Sequence, residues 1–317
     1  MEVTFWGVRG SIPAPMTPSA YRSKLDTALA RQKAAEAGEA LAPSCEDSEL
    51  EGLQCIVGGN TPCVEINAGD VTIVLDMGTG LREYGIKLMS DLKKGLKVPK
   101  ELHIFISHTH WDHIQGFPFF QPAFSDAFRI YFYSPHGNLK NKLRMQQEFA
   151  FFPVSLDFMN ADKQFLDFPP ESKITIGDVV VTNTALHHPG ISYSFRITYA
   201  GKSVVYATDG EYNNLAEERV NRFIEHFHDA DLLIFDAMYT LDQEAERVDW
   251  GHSSPMNAID IAAQSHAKIL ALFHHDPEND DNDIIKMYRG AKEYLRVQYP
   301  NSSMKIIVAK ESNTVEV

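Results

Sequence analysis

The sequence predicts an α/β fold, two β-sheets with helices on their outer faces. Short apolar, β-branched runs bounded by turn residues recur in both halves of the chain. Beyond Asn213 the pattern becomes helix, strand, helix, strand, helix, strand, so that each half carries strands followed by helices. Layering helices on sheets is how such elements bury their apolar faces. With 317 residues and 44% hydrophobic content, the chain can fill the core of one large layered domain, residues 1–317.

Residues 3–6 read as a first strand, followed by the turn-like GVRGSIPAP. Residues 18–42 are rich in Ala, Lys, Glu and Leu and read as an exposed helix. Pro-containing loops flank it, so about 14–55 is expected to be a helical insertion over one edge. Gly58, Gly59 and Asn60 suggest a tight turn, and 63–67 with 71–75 a hairpin. The second hairpin strand ends in Asp76-Met-Gly-Thr-Gly, and a helix follows to about Lys94. Residues 102–106 form an apolar strand, and 129–133 another after the aromatic stretch 117–128. Residues 138–170 read as helix and loop, with Phe149, Phe151, Phe152, Phe158, Phe165 and Phe168 expected mostly in the core. Strands are expected at 174–176, 179–185, 193–199 and 203–207. Helices at 215–228, 255–266 and 284–297 then alternate with strands at 232–235, 269–273 and 304–308.

The 102–113 stretch, LHIFISHTHWDH, concentrates chemistry. Its apolar run stops at Ser107, and His108, His110, Asp112 and His113 follow within six positions. Imidazole and carboxylate are ligands for Zn²⁺ and similar divalent ions. Four such groups on one turn suit two neighbouring ions better than one, and ion pairs of that kind activate water for hydrolysis. Three later strand ends repeat the pattern: His187-His188-Pro-Gly, Asp209-Gly and His274-His275-Asp-Pro. Any one of them alone reads equally as a turn or a hydrogen-bonded side chain. Together they supply a bridging carboxylate and further imidazoles. Zn²⁺ suits the imidazole-rich set, while Mn²⁺ or Fe²⁺ suit its carboxylate share.

The 29 basic and 43 acidic side chains leave a formal charge of −14, which opposes tight, nonspecific binding to nucleic-acid phosphates. Three cysteines, Cys45, Cys55 and Cys63, form no disulfide framework and no CxxC pair, as expected of a cytoplasmic protein. No apolar run approaches a membrane span, and MEVTFWGVRG reads as an amphipathic strand rather than a signal sequence.

HTHWDH, a later His, Asp in TDG and a His near the C-terminal end together resemble the metallo-β-lactamase superfamily of dinuclear hydrolases. The resemblance runs from about residue 3 to 308. It implies an αββα sandwich, two mixed β-sheets with outer helices and two divalent metal ions per chain at one edge of the sheets. Carried over residue by residue, His108, His110 and His188 would hold one ion. Asp112, His113 and His274 would hold the second, with Asp209 bridging. The Pro-Gly turn after His188 favours it over His187, and direct succession to the strand favours His274 over His275.

The segment ADLLIFDA, with Asp236, and the GHSS of His252 resemble the ribonuclease Z and PhnP-like phosphodiesterase branch. There a carboxylate orients a His that protonates the leaving oxygen. A positioned acid suits phosphodiester cleavage, which expels a poor leaving group. His252 also reads as a neighbour of a helix cap, because SSPMNAIDIAAQ opens a helix. Asp76 resembles the branch's carboxylate behind a metal-binding His, or is a turn former. Arg9 and Asn60 either reach substrate phosphate or fix their loops.

The expected function is a dinuclear metal phosphodiesterase for a small cyclic nucleotide or ribose cyclic phosphodiester, with Asp112, His252 and Asp236 as catalytic residues. A tRNA 3′-processing endoribonuclease is one rival, but no basic or Gly-rich arm is evident in the sequence. A thioesterase or lactonase is another, for which His252 and Asp236 would be superfluous. A catalytically silent binding protein would have lost ligands, and none is missing. The sequence carries no signal for oligomeric state; proteins of the branch it resembles often form homodimers.

Overall fold

A computed structural model of the chain describes residues 1–37, 56–213 and 215–317. Among them, one sheet comprises β1 (Glu2–Gly7), β2 (Cys63–Ala68), β3 (Val71–Leu75), β4 (Glu101–Phe105), β5 (Arg129–Ser134), β6 (Asp162–Asp167) and β14 (Thr314–Glu316). Its order is β14-β1-β2-β3-β4-β5-β6. The other comprises β7 (Lys173–Ile176), β8 (Val179–Ala185), β9 (Tyr193–Tyr199), β10 (Lys202–Ala207), β11 (Leu232–Asp236), β12 (Ile269–Phe273) and β13 (Lys305–Val308). Its order is β13-β12-β11-β10-β9-β8-β7. Helices α1 (Pro18–Glu36), α2 (Gly80–Lys93), α3 (Trp111–Ile114), α4 (Leu139–Gln146), α5 (Glu217–Phe227), α6 (Leu241–Glu246), α7 (Pro255–Gln264) and α8 (Asp281–Gln298) complete the described elements. This is the expected αββα sandwich of two mixed sheets.

Alternation within strands builds the layers. In β4, Phe105 points between the sheets, meeting Phe195 of the facing sheet at 5.6 Å between ring centroids. Leu102 and Ile104 point the other way, into an outer core with Leu81 and Tyr84 of α2, Phe117 and Phe120. Covered on both faces, β4 reads as a continuous apolar run. On the far sheet, Phe223 and Phe227, one helical turn apart in α5, and Ile259 of α7 are buried in one cluster with the strands their helices cover. Pro18 opens α1 and Thr17 caps it, accepting from Ala20 N. No residue of α1 is fully buried, in keeping with the expected exposed helix. Residues 38–55 of the expected insertion lie outside the described residues.

Strand direction decides where the chemistry falls. β3 to β6 run parallel to one another, as do β10 to β13. The C-terminal ends of β3, β4, β10, β11 and β12 lead into Asp76, His108, Asp209, Asp236 and His274. The segment after β1 stitches the sheets together beside them: His275 N donates to Val8 O and Gly10 N to His275 O, both at 2.9 Å. A Cβ at residue 10 would come within 2.6 Å of the His274 ring, so only glycine fits.

Several expectations fail for physical reasons. Residues 58–60 form no assigned turn; Asn60 O accepts instead from Val8 N and Arg9 N. The β6 strand, DKQFLD, is a polar sheet edge and carries no alternating apolar signal. The phenylalanines are mostly not core. Phe149, Phe151 and Phe158 are exposed, Phe152 and Phe165 are half-buried, and Phe168 alone of the six is buried.

Candidate active site

Seven of the residues singled out in the sequence converge at this sheet edge. Donor atoms of His108, His110 and His188 lie within 4.8 Å of one another, as do those of Asp112, His113, Asp209 and His274. Asp209 faces both groups. Its Oδ1 lies 3.8 Å from His108 Nε2 and 3.9 Å from His188 Nε2, and its Oδ2 lies 3.2 Å from His113 Nε2 and 3.4 Å from His274 Nε2. One carboxylate thus offers an oxygen to each group, as a bridging ligand must.

The rings are aimed by their far nitrogens. His113 Nδ1 meets Asp76 Oδ2 at 2.7 Å, His188 Nδ1 donates to Gly251 O at 2.9 Å, and His108 Nδ1 pairs with Ser107 Oγ at 3.1 Å. Such outer partners fix tautomer and orientation and leave Nε2 for a metal. The Nε2 atoms of His108 and His113 are buried without a hydrogen-bond partner, and the facing nitrogens of His110 and His188 are 3.1 Å apart. Buried polar atoms are almost always paired. Orphaned nitrogens facing carboxylate oxygens fit divalent cations. Burial holds the pKa of His108 well below, and those of His110 and His188 below, the ordinary imidazole value, favouring the neutral, ligating form.

The backbone also turns donors into the cleft. Asp76, Asp209 and His274 all have positive φ, 60°, 56° and 60°. Non-glycine residues rarely adopt that conformation, and it concentrates at functional sites.

The adjacent histidines separate clearly. His187 turns away to Arg219 Nη1 at 3.2 Å, and His275 pairs with Ala309 O at 3.1 Å. His188 and His274 enter the cluster. Asp76 is a hub, accepting from Ser107 N, Ser107 Oγ and Tyr206 OH as well as His113. Arg9 does not reach the cluster: its guanidinium serves Gly58 O, Asp276 O and Asn279 O and pairs with Asp281. Asn60 is held by Glu311. Both side chains are engaged in fixing their loops.

His252 stands beside the cluster. Its ring stacks on His274 at 5.1 Å, and its Nδ1 lies 2.7 Å from Asp236 Oδ2. Burial opposes a charge on the ring, but Asp236, with Asp209 and Asp112 behind it, prevails and lifts its pKa to about 9. Asp236 is itself fixed by the backbone N–H groups of Asp209, Met238 and Ser253. The cap of α7 is Ser254, so His252 is free of that duty.

Sequence reasoning missed Ser11, Ser107, Tyr206 and Glu211. Ser11 N donates to Asp112 Oδ2 at 2.8 Å. Tyr206 reads as core in an apolar strand, and the other three carry no local signal.

The model of the β-lactamase superfamily domain matches residues 72–275. The chain belongs to the β-lactamase superfamily. Ribonuclease Z of Picrophilus torridus is 22% identical over 307 residues, covering 82% of this chain and 94% of that protein. The metallo-β-lactamase fold protein YhfI from Bacillus subtilis superposes with a TM-score of 0.63 at 20% identity, covering 100% of this chain and 98% of its own. Unliganded yeast PDE1 gives 0.64 at 12% identity, covering 100% and 99%. These structural likenesses carry the fold. This superfamily member is a metal-dependent hydrolase whose two donor groups suit a pair of divalent cations. Among the described residues no helix is long and apolar enough to cross a membrane.

Proposed function

We propose that this β-lactamase superfamily chain is a phosphodiesterase acting on a small cyclic nucleotide or ribose cyclic phosphodiester. The observation that carries this reading is the His252–Asp236 pair, an imidazole held on a buried carboxylate at 2.7 Å beside the donor groups. His108, His110 and His188 would hold one cation and Asp112, His113 and His274 the other, with Asp209 between them; Zn²⁺ is the first candidate, then Mn²⁺ or Fe²⁺. When bound, such a pair neutralises phosphate charge and makes water a stronger nucleophile near neutral pH.

The remaining work belongs to side chains. Asp112, steadied by Ser11 N–H, would orient the attacking water. The water releases a proton to solvent and attacks phosphorus opposite the ribose oxygen; as that P–O bond breaks, His252 Nε2 gives its proton to the departing oxygen and is later reprotonated from solvent. Asp236 keeps the imidazole aimed and charged until that transfer. A thioester expels a thiolate, which leaves without such an acid, so the pair favours a phosphodiester over a thioester.

The similarity to ribonuclease Z favours a second reading, a tRNA 3′-processing endoribonuclease. The formal charge of −14 argues for the smaller substrate. The deciding experiment offers the metal-loaded protein 3′,5′-cyclic AMP and GMP, a ribose cyclic phosphate, pre-tRNA and a thioester. Turnover of a cyclic phosphodiester is expected. Cleavage of pre-tRNA alone would assign the second reading, and turnover of the thioester alone would overturn both.

A further inference from the structure

His187, Glu211 and Asp249 form another group of possible ligands. Its contacts give it a different purpose. Arg219 Nη1 stands against His187, and Asp249 is exposed. Glu211, only 4% exposed, spends its carboxylate on backbone: Oε1 accepts from Asp249 N at 3.3 Å and Oε2 from Gly251 N at 3.2 Å. A buried carboxylate aimed at two N–H groups of one short segment is a clamp on that segment.

The clamped segment ends at His252. Gly251 has no slack. Its φ is +82°, a Cβ there would lie 2.2 Å from His188 Nδ1, and its carbonyl accepts from that same nitrogen at 2.9 Å. Residue 251 is thus gripped by Glu211 through its N–H and by His188 through its C=O. On the other side of the clamp, Glu211 lies two residues past Asp209, and its own N–H donates to His187 O at 2.9 Å. Ser253 Oγ adds a parallel tie to Gly210 O at 2.6 Å. The turn that carries the bridging carboxylate is therefore bolted to the loop that carries the acid.

We infer that Glu211 is a positioning residue that sets the aim of His252 through the backbone of residues 249–251. The kinetic consequence rests on the phosphodiesterase reading; the geometric one does not. An acid out of line matters most when the leaving oxygen is a poor leaving group and least when it leaves unaided.

The test uses Glu211→Gln and Glu211→Ala in the metal-loaded chain. Each is assayed on a phosphodiester with an alkoxide leaving group and on one that releases nitrophenolate. For Glu211→Ala, kcat on the alkoxide ester at saturating metal is expected to fall about tenfold or more relative to the nitrophenyl ester; metal affinity also falls where the Gly251 carbonyl that aims His188 loosens. Glu211→Gln keeps one acceptor oxygen and should fall between the two. In metal-free protein, the NMR signal of the His252 proton shared with Asp236 should shift or broaden in Glu211→Ala. Equal losses on both esters at saturating metal, or an unmoved His252 signal, would overturn the inference. Should Glu211→Ala not fold, Glu211→Gln decides by the same comparisons. If the wild type cleaves no phosphodiester, that reading fails while the NMR comparison still tests the clamp.

Discussion

The Tyr206 hydroxyl donates to Asp76 Oδ2 at 2.8 Å, joining a strand of one sheet to the strand end of the other behind His113. Both groups are fully buried. A hydrogen bond to a buried carboxylate contributes about 1.5–3 kcal/mol. Tyr206→Phe should lower stability by about that much, read as the urea midpoint. It should also weaken metal affinity by about tenfold or more, because Asp76 then holds His113 less firmly. Unchanged affinity would show that Ser107 alone suffices to fix Asp76.

The two donor groups should respond differently to substitution. His108→Ala removes a donor from the first group only, and about one ion per chain should remain. Asp209→Asn withdraws charge from both groups, so both affinities should drop together. Metal analysis after gel filtration distinguishes these outcomes; one retained ion in Asp209→Asn would exclude a shared carboxylate.

His252→Ala should leave metal content and fold intact. Turnover of an alkoxide-releasing phosphodiester should fall by about 10²–10⁴-fold, the usual worth of a general acid. Full activity in this variant would remove His252 from the proton transfer.

Acid should destabilise the chain through His226. Its Nε2 is buried without a partner although the ring edge reaches solvent. Burial first, then Arg196, lowers its pKa to about 4. The folded state therefore favours the neutral ring, while the unfolded chain takes up a proton near pH 6.5. The contribution is complete above about pH 6.5 and is lost as pH falls toward 4. Across that window it is worth on the order of 2–3 kcal/mol. His226→Phe should flatten the fall in unfolding free energy between those pH values; an unchanged slope would place the acid sensitivity elsewhere.

The layers and most of the site were legible because both obey strand physics. An apolar run such as 102–106 declares a buried strand, and the residues just past its end must sit at the sheet edge. That rule brought His108, Asp209 and His274 together across the chain. It has no power between neighbours: His187 and His188 succeed the same strand, and only the turn geometry sends one inward. Residues whose partners lie on other segments, such as Tyr206 and Glu211, look like ordinary core or turn residues. The exposed Phe149, Phe151 and Phe158 misled because aromatic content predicts burial only where an element exists to cover it.

The left-handed backbone at Asp76, Asp209 and His274 sets stability against use. Glycine would adopt these angles at no steric cost, and at residues 209 and 274 it would also remove side chains crowded together in the buried cluster. A screen for heat resistance alone would therefore be drawn toward glycine at residues 209 and 274, two of the positions proposed to hold the cations, whereas Asp76 is kept by its buried hydrogen bonds. Any stabilised variant should be designed with these three residues held fixed.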